Sequence, residues 1–463
     1  MLNDAKRKAD LNAMVHYYTV TSSRAIRHLA GIRLLRKHQK MESIMADLTR
    51  RTRCRLCDSN RLSLAIPMKP SPVGDAFVKD NTVKQALYPL DVYLCESCGH
   101  LQNLDIVDPN ILFGNYTYKT SHSMGLIKHF EKYAAHVVEK LNIAPPKFIL
   151  EIGSNDGSLL HEFKNMGHRV LGVDASRDVA QYANERGVPT IADFFGSTLS
   201  KEILAKNGKA SLVCANNVYA HADNLRDITV GIRNVLADDG VFVFEVSYLP
   251  DMVEKMVFDT IYHEHVSYHT LNPLEKFFNS LDLSLFDVER ITTKGGSIRG
   301  FVQVRSTGAR KQSDTLLALM AHEASLGYDE IEVYREYAEK IVAAKDATRN
   351  ILREISADMT GIAGYGASTT TTTLLYNYEL ESVLERIYDD NPIKVGTYSP
   401  SAHIEVFSSG DILKYMPKAI LILAWAYARP IVDKNMEYLK AGGKFVLPLP
   451  QPRIIDLASV GTL

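Results

Sequence analysis

Three groups of residues in this 463-residue chain have types and spacings that could do chemistry. The first is a pair of Cys-x-x-Cys units, Cys54-Arg-Leu-Cys57 and Cys95-Glu-Ser-Cys98. Each unit puts two thiolates on one tight turn, and two such turns supply the four sulfurs of a tetrahedral zinc site. Gly99 suits the turn after the second pair, where the backbone often needs a positive φ. The 37 residues between the pairs (58 to 94) exceed the gap of a short zinc ribbon, so a hairpin or loop must fold back between them. Two disulfides or unconnected thiols are the alternatives. A cytosolic setting disfavours the first and the paired spacing disfavours the second. Nothing in the pattern leaves an open coordination position, so the zinc is expected to be structural. The fifth cysteine, Cys214, lies in the apolar run Ser211-Leu-Val-Cys214-Ala and reads as a buried strand residue.

The second group is Glu151-Ile-Gly153-Ser-Asn155-Asp156-Gly157, which follows an apolar run and precedes a helical one. In a doubly wound α/β sheet this first strand–turn–helix carries the ligand-side glycines. The full G-x-G-x-x-G is missing, and a pyrophosphate needs that crowding of backbone N–H groups. A cofactor without phosphate needs only close backbone approach and polar side chains. Asp174, 21 residues after Gly153, ends the second strand, where a carboxylate can accept from both ribose hydroxyls. Asp193 and Phe194 follow a short third strand and place an acid and an aromatic at the adenine. A ribose carboxylate without a phosphate grip points to S-adenosylmethionine. Asn216 and Asn217, after the fourth strand, complete the candidate cofactor-binding set.

The third group is Tyr262-His263-Glu264-His265. A metal reading would use His263, Glu264 and His265, but His-x-His on a strand supplies two ligands from one face and the third must come from afar. General acid/base work instead needs a base near neutral pKa, oriented by a carboxylate. Glu264 and His265 have those chemistries. His221, in Asn216-Asn-Val-Tyr219-Ala-His221, belongs to the same sheet rim, and Tyr116 and Tyr118 fall at the junction of the cysteine unit and the nucleotide domain, a place where clefts form.

These groups need a frame that brings them together. Strands are expected at Phe148–Ile152, Val170–Asp174, Thr190–Ala192, Leu212–Ala215 and Val241–Glu245, with helices over Ser158–Met166 and Leu225–Leu236 between them. Strands alternating with helices imply a parallel sheet covered on both faces. A helix from Met124 to Leu141 precedes this series. A long helical region, about Ser313 to Thr360, leads to a second α/β series with strands at 362–366, 386–390, 419–424 and 444–447. Residues 1–45 hold nine Lys/Arg against three acids and suggest a basic helical extension, with Ile26, Leu29, Ile32 and Leu35 at helical spacing.

Composition narrows the class. Hydrophobic residues at 46% and charged residues at 23% exclude global disorder. The 53 Lys+Arg against 54 Asp+Glu leave no field to hold a polyanion, and only Arg61, Lys69, Lys79 and Lys84 lie between the cysteine pairs. Nucleic acid is therefore not an expected partner. No apolar run approaches the roughly 20 residues of a membrane span, and no signal-peptide core is visible, so a cytoplasmic protein acting off the membrane is expected.

The order of motifs continues with Gly295-Gly-Ser297-Ile-Arg299 and Gly364-Tyr-Gly-Ala367. From about residue 50 to 450 it resembles the zinc-containing, three-domain sugar C-methyltransferases that act on nucleotide-linked keto-deoxysugars. The resemblance implies a zinc-binding domain at 46–122, a central Rossmann-like S-adenosylmethionine methyltransferase domain at 123–310 and a second Rossmann-like α/β domain at 311–463 that binds substrate. It implies carbon chemistry, in which a base takes a proton beside a ketone and the enolate takes the cofactor's methyl. His265 is then the implied base, Tyr262, Glu264 and His221 position it or the sugar, and Tyr116 or Tyr118 contacts the sugar or the enolate oxygen. Three stretches depart from the family pattern: Ala367-Ser-Thr-Thr-Thr-Thr-Thr373 where members have Pro and Lys, Ser399-Pro-Ser-Ala-His403 for a Pro-Gly loop, and Trp425-Ala-Tyr427 for Trp-Asn-Tyr. An O- or N-methyltransferase is the alternative activity. A non-catalytic binding module is a third reading, which the intact cofactor turn and the Tyr262–His265 cluster oppose.

Overall fold

The computed structural model describes residues 47–113, 120–122 and 124–463. Tyr116, Tyr118 and the basic stretch 1–45 lie outside the described residues. Arg50–Leu463 is one compact unit, organised by sheets of four, seven and six strands.

The seven-stranded sheet runs, in spatial order, Leu283–Ile291, Ser297–Val304, Leu236–Ser247, Ala210–Asn216, Phe148–Ile152, Arg169–Asp174 and Thr190–Ala192. The last five are mutually parallel. Phe148–Ile152 sits at the centre and is buried along its whole length, because helices cover both faces. On one face Phe130, Tyr133, Ala134 and Val137 of helix Met124–Leu141 pack with Leu159, Leu160 and Phe163 of helix Ser158–Asn165 against Ile149, Val241 and Val243. That i, i+3, i+4, i+7 set is the stripe a core-facing helix needs. The expectation of a parallel sheet needs one correction: Ser297–Val304 inserts antiparallel beside Leu236–Ser247, with Leu283–Ile291 antiparallel outside it. A short Thr293–Gly295 turn joins these two strands, which is the tight connection an antiparallel pair permits. Cys214 lies fully buried in strand Ala210–Asn216, as its apolar run suggests.

The six-stranded sheet has Val406–Ser408, Arg386–Asp389, Ile362–Tyr365, Ala419–Ile422 and Phe445–Leu447 parallel, closed by antiparallel Arg453–Ile455. The long helical region before it is two helices, Asp314–Ser325 and Ile331–Ile355, broken at Gly327 with φ 69°. The four-stranded antiparallel sheet takes Leu62–Ile66, Val92–Cys95 and Leu101–Asn103 from the cysteine unit. Its fourth strand, Ser267–Tyr268, arrives from the segment that follows Tyr262–His265. Among the described residues no helix is long and apolar enough to cross a membrane.

Candidate active site and zinc centre

The two Cys-x-x-Cys turns are built alike. Cys54 N donates to Ser59 O at 2.8 Å and Cys95 N to His100 O at 2.9 Å, while the residues after each pair, Asp58 and Gly99, have φ of 62° and 80°. At Gly99 a Cβ would stand 2.8 Å from Asp329 Cβ, so crowding as well as φ selects glycine there. The turns face each other, with Cys54 and Cys98 sulfurs 3.7 Å apart, Cys57 and Cys95 sulfurs 3.5 Å apart, and all four within 4.8 Å. Four Zn–S bonds of about 2.3 Å at tetrahedral angles require edges of about 3.8 Å, which this cluster fits. No pair is close enough for a disulfide, and all five thiols are free.

The candidate cofactor residues converge at the carboxyl ends of the central strands. The Asp174 carboxylate accepts from Asn155 N at 2.8 Å and Ser176 N at 3.0 Å, pinning the glycine turn to the second strand. Burial pushes the Asp174 pKa up, and that of Glu151 well up, with Asp174 and Asp156 adding to the effect. Glu151 Oε2 and both amide atoms of buried Asn216 have no hydrogen-bond partner, an arrangement that favours a polar ligand at this rim. Asp156 is fully buried and faces inward. Its carboxylate accepts from Ser121 N and the Ser158 hydroxyl, and despite its burial these bonds and Arg186 hold its pKa low. Gly153, at φ 65°, is closely approached by the protein itself, since a Cβ there would stand 2.5 Å from Val218 Cγ2. Gly157 caps helix Ser158–Asn165. Asp193 bonds its neighbour Phe194 N at 2.7 Å, and the Phe194 ring is 58% exposed at the rim. Asn217 adopts φ 56° and donates its N–H to Glu245 O.

Tyr262–His265 forms a turn, closed by His265 N donating to Tyr262 O at 2.9 Å, and not the strand the metal reading assumed. His265 is buried. Its Nδ1 lies 2.8 Å from Thr260 O, a partner that can only accept, so the proton is assigned to Nδ1. Nε2 is then the basic nitrogen, and it accepts from Tyr262 Oη at 3.0 Å beneath a stacked ring 4.1 Å away. The His221 ring meets His265 edge-on at 4.8 Å, and Glu264 reaches His221 Nδ1 at 3.9 Å. The oriented pair is therefore Glu264–His221, set beside His265. His263 turns the other way. Its Nε2 lies 3.3 Å from Tyr88 O, and burial lowers its pKa to about 4. Among the described residues the cysteines form the one group of three or more potential ligands close enough for a metal. Val218 packs on Gly153, and Val266 N donates to Ala220 O at 2.8 Å, so the imidazoles and the cofactor turn share one rim.

Sequence reasoning missed the links to the C-terminal sheet. Thr373 Oγ1 donates to Ile261 O and Thr372 Oγ1 to Gly74 O, so these two threonines of the 369–373 run tie the fold together. Trp425 Nε1 donates to Asp259 Oδ2 at 2.9 Å, one residue before the Thr260 carbonyl that orients His265. Asp259 is 3% exposed, and burial raises its pKa to about 7. A raised carboxyl pKa means the native state keeps a proton that the unfolded chain loses above about pH 4. The contribution of Asp259 to native stability therefore falls as pH climbs from about 4 to about 7, and is flat beyond. Asp259→Asn keeps an acceptor for Trp425 and removes the titration. At pH 8 it is expected to stabilise the protein by up to about 4 kcal/mol, and near pH 4 by little. Denaturant melts at the two pH values check this, and equal effects at both would refute it.

Residues 54–113 match the zinc binding domain family of these methyltransferases, residues 126–287 a methyltransferase domain family and residues 292–450 the C-methyltransferase C-terminal domain family. The C-methyltransferase NovU of Streptomyces niveus is 33% identical over 409 residues, which span 88% of this chain and 97% of that protein. Among solved structures, magnesium protoporphyrin IX methyltransferase from Synechocystis PCC 6803 with bound SAH is similar at 15% identity and a TM-score of 0.31, over 38% of this chain and 82% of its own. An S-adenosylmethionine-dependent methyltransferase from Clostridium acetobutylicum is similar at 14% identity and a TM-score of 0.32, over 38% of this chain and 92% of its own.

Proposed function

This chain belongs to the zinc-containing, S-adenosylmethionine-dependent C-methyltransferase family, and from that premise we propose that His265 is the base that makes the nucleophilic carbon. The observation that carries the reading is the Nδ1–Thr260 O contact, which leaves Nε2 as the proton acceptor on the cofactor rim. S-adenosylmethionine supplies an electrophilic methyl group when bound. Tyr262 Oη, which meets Nε2 in the structure, turns its O–H to the ketone oxygen and frees the Nε2 lone pair. His265 Nε2 then takes a proton from the carbon beside the ketone, and Tyr262 keeps its hydrogen bond to the enolate oxygen as it forms. Such a donor matters because the developing charge needs a fixed partner in a site closed to water. Glu264 holds His221 against the His265 ring. Asp174 receives the ribose hydroxyls, Phe194 stacks on the adenine, and Glu151, Asn216 and Asn217 meet the cofactor's polar groups. Tyr116 or Tyr118 contacts the substrate.

The substrate we propose is a nucleotide-linked keto-deoxysugar. Supporting it, besides the order of motifs, is a repeated construction in the C-terminal sheet. Asp389 at a strand end accepts Ala367 N at 2.6 Å in the Gly364-Tyr-Gly366 turn, as Asp174 accepts Asn155 N. The same reading divides the chain into zinc, methyltransferase and substrate domains at about residues 122 and 310. Incubation with a panel of nucleotide-linked keto-sugars and S-adenosylhomocysteine in deuterated water tests it. Deuterium is expected at one carbon beside the ketone without methyl transfer. A parallel incubation with S-adenosylmethionine reads the methylated atom, and transfer to oxygen or nitrogen there, with no carbon exchange in the first incubation, would overturn it in favour of the O- or N-methyltransferase reading.

A further inference from the structure

Both halves of the zinc centre continue, through hydrogen bonds, into the histidine pair. From the first turn, the Arg55 side chain reaches Asp223 Oδ1 with Nε at 3.1 Å. Its Nη1 reaches Asn103 O at 2.6 Å and Gln102 Oε1 at 3.2 Å. Asp223 lies two residues past His221 and also receives Arg51 Nη1. Arg226 Nη2 donates back to Leu56 O at 2.8 Å, so both residues between Cys54 and Cys57 are tied to the stretch that carries His221. From the second turn, strand Leu101–Asn103 pairs with Ser267–Tyr268, and Asn103 N donates to Val266 O at 3.0 Å, one residue past His265. The two paths meet, because Val266 N and Ser267 N both donate to Ala220 O, at 2.8 and 3.1 Å, one residue before His221.

This is a closed ring of short connections, and a buried guanidinium stands at its centre. Arg55 is 3% exposed. Taking such a cation out of water costs several kcal/mol unless good partners surround it, and a planar fork serves several acceptors at once where a lysine cannot. A cysteine turn needs no arginine for its own sake. We propose that the zinc centre sets the spacing of His221 and His265, and that Arg55 is the positioning residue through which it does so. Packing alone would hold the zinc unit against its neighbour without fixing the relation between two imidazoles. The ring fixes it from both sides.

The proposal deepens the reading of His265 as base, and a readout of imidazole position separates the two. Full-length protein with cadmium at the four cysteines and carbon-labelled histidines gives both signals needed. The cadmium resonance reports the four-thiolate site, and the ring carbons of His221 and His265, assigned from His221→Gln and His265→Gln, report their surroundings. In Arg55→Met the cadmium resonance and S-adenosylhomocysteine affinity are expected to stay within about twofold of the parent. The His221 and His265 signals are expected to move together, while that of His168 stays in place. Arg55→Lys should recover part of the shift. Asp223→Asn, at a half-buried site, should move the same two signals and add nothing in combination with Arg55→Met. Should Arg55→Met fail to fold, Asp223→Asn decides alone. Unmoved imidazole signals with an intact cadmium site, or fully additive effects of the two substitutions, would overturn the proposal whatever His265→Gln does to turnover.

Discussion

His265→Gln is expected to lower methyl transfer by about 10²- to 10⁴-fold, the range general-base removal usually gives, while S-adenosylmethionine binding stays near its parent value. The amide of glutamine can still donate to Thr260 O, so the turn keeps its bond, but no basic nitrogen remains to face the substrate. The loss should fall on kcat more than on KM, because the lost group acts on the proton in flight and not on the bound ground state. Neighbouring substitutions grade the claim. Tyr262→Phe leaves Nε2 in place and removes one hydroxyl, and Glu264→Gln acts through His221, so each should cost less than the base itself. His263→Gln should lower stability and leave turnover largely intact, because that ring packs against Tyr88. Calorimetry with the cofactor and steady-state rates on the same preparations check the set. A His265→Gln variant with parental turnover would remove the base from the mechanism.

The tetrapeptide Tyr262–His265 shows where sequence reading stops. Its residue types announced acid/base chemistry, yet type and spacing could not say which histidine faces the rim, because that depends on a turn closed by one backbone bond. The partner of Glu264 was hidden for the same reason: His221 lies 43 positions earlier and is brought near by the sheet. Local rules worked where the chemistry is local. The cysteine pairs dictate tight turns, and the nearly continuous apolar run Phe148–Ile152 dictates a buried strand. Strand Ser267–Tyr268 carries no readable signal in two residues, and its pairing with Leu101–Asn103 crosses more than a hundred and fifty positions. Ser297–Val304 is buried at every residue, so alternation could not mark it as antiparallel. In the sequence the threonine run shows only as a departure from the Pro and Lys of the family pattern. Two of its hydroxyls instead hold Gly74 and Ile261, a role only the folded chain displays.

Removing the zinc should be as damaging to turnover as removing the base, by a different route. A four-thiolate site holds its metal with about 10–16 kcal/mol in small zinc peptides at neutral pH, and that energy is folding energy for the unit that carries it. Cys95 ends the strand Val92–Cys95, which pairs with Leu101–Asn103, and that strand in turn pairs with Ser267–Tyr268. Cys95→Ser should therefore release the metal, loosen the four-stranded sheet and free the segment that carries His265, lowering transfer by more than about 10²-fold. The central sheet has its own core, in which Phe130, Tyr133 and Phe163 cover the face opposite the cysteines' cluster. Cofactor binding should consequently survive, weakened, in a protein that protease cuts rapidly between residues 58 and 94. Because ligation requires thiolates, chelators should strip the parent protein faster as pH falls, with the same sequence of losses. Metal content, proteolysis and cofactor calorimetry on one sample follow each step. A metal-free variant that transfers methyl groups at the parental rate would show that the base keeps its place unaided.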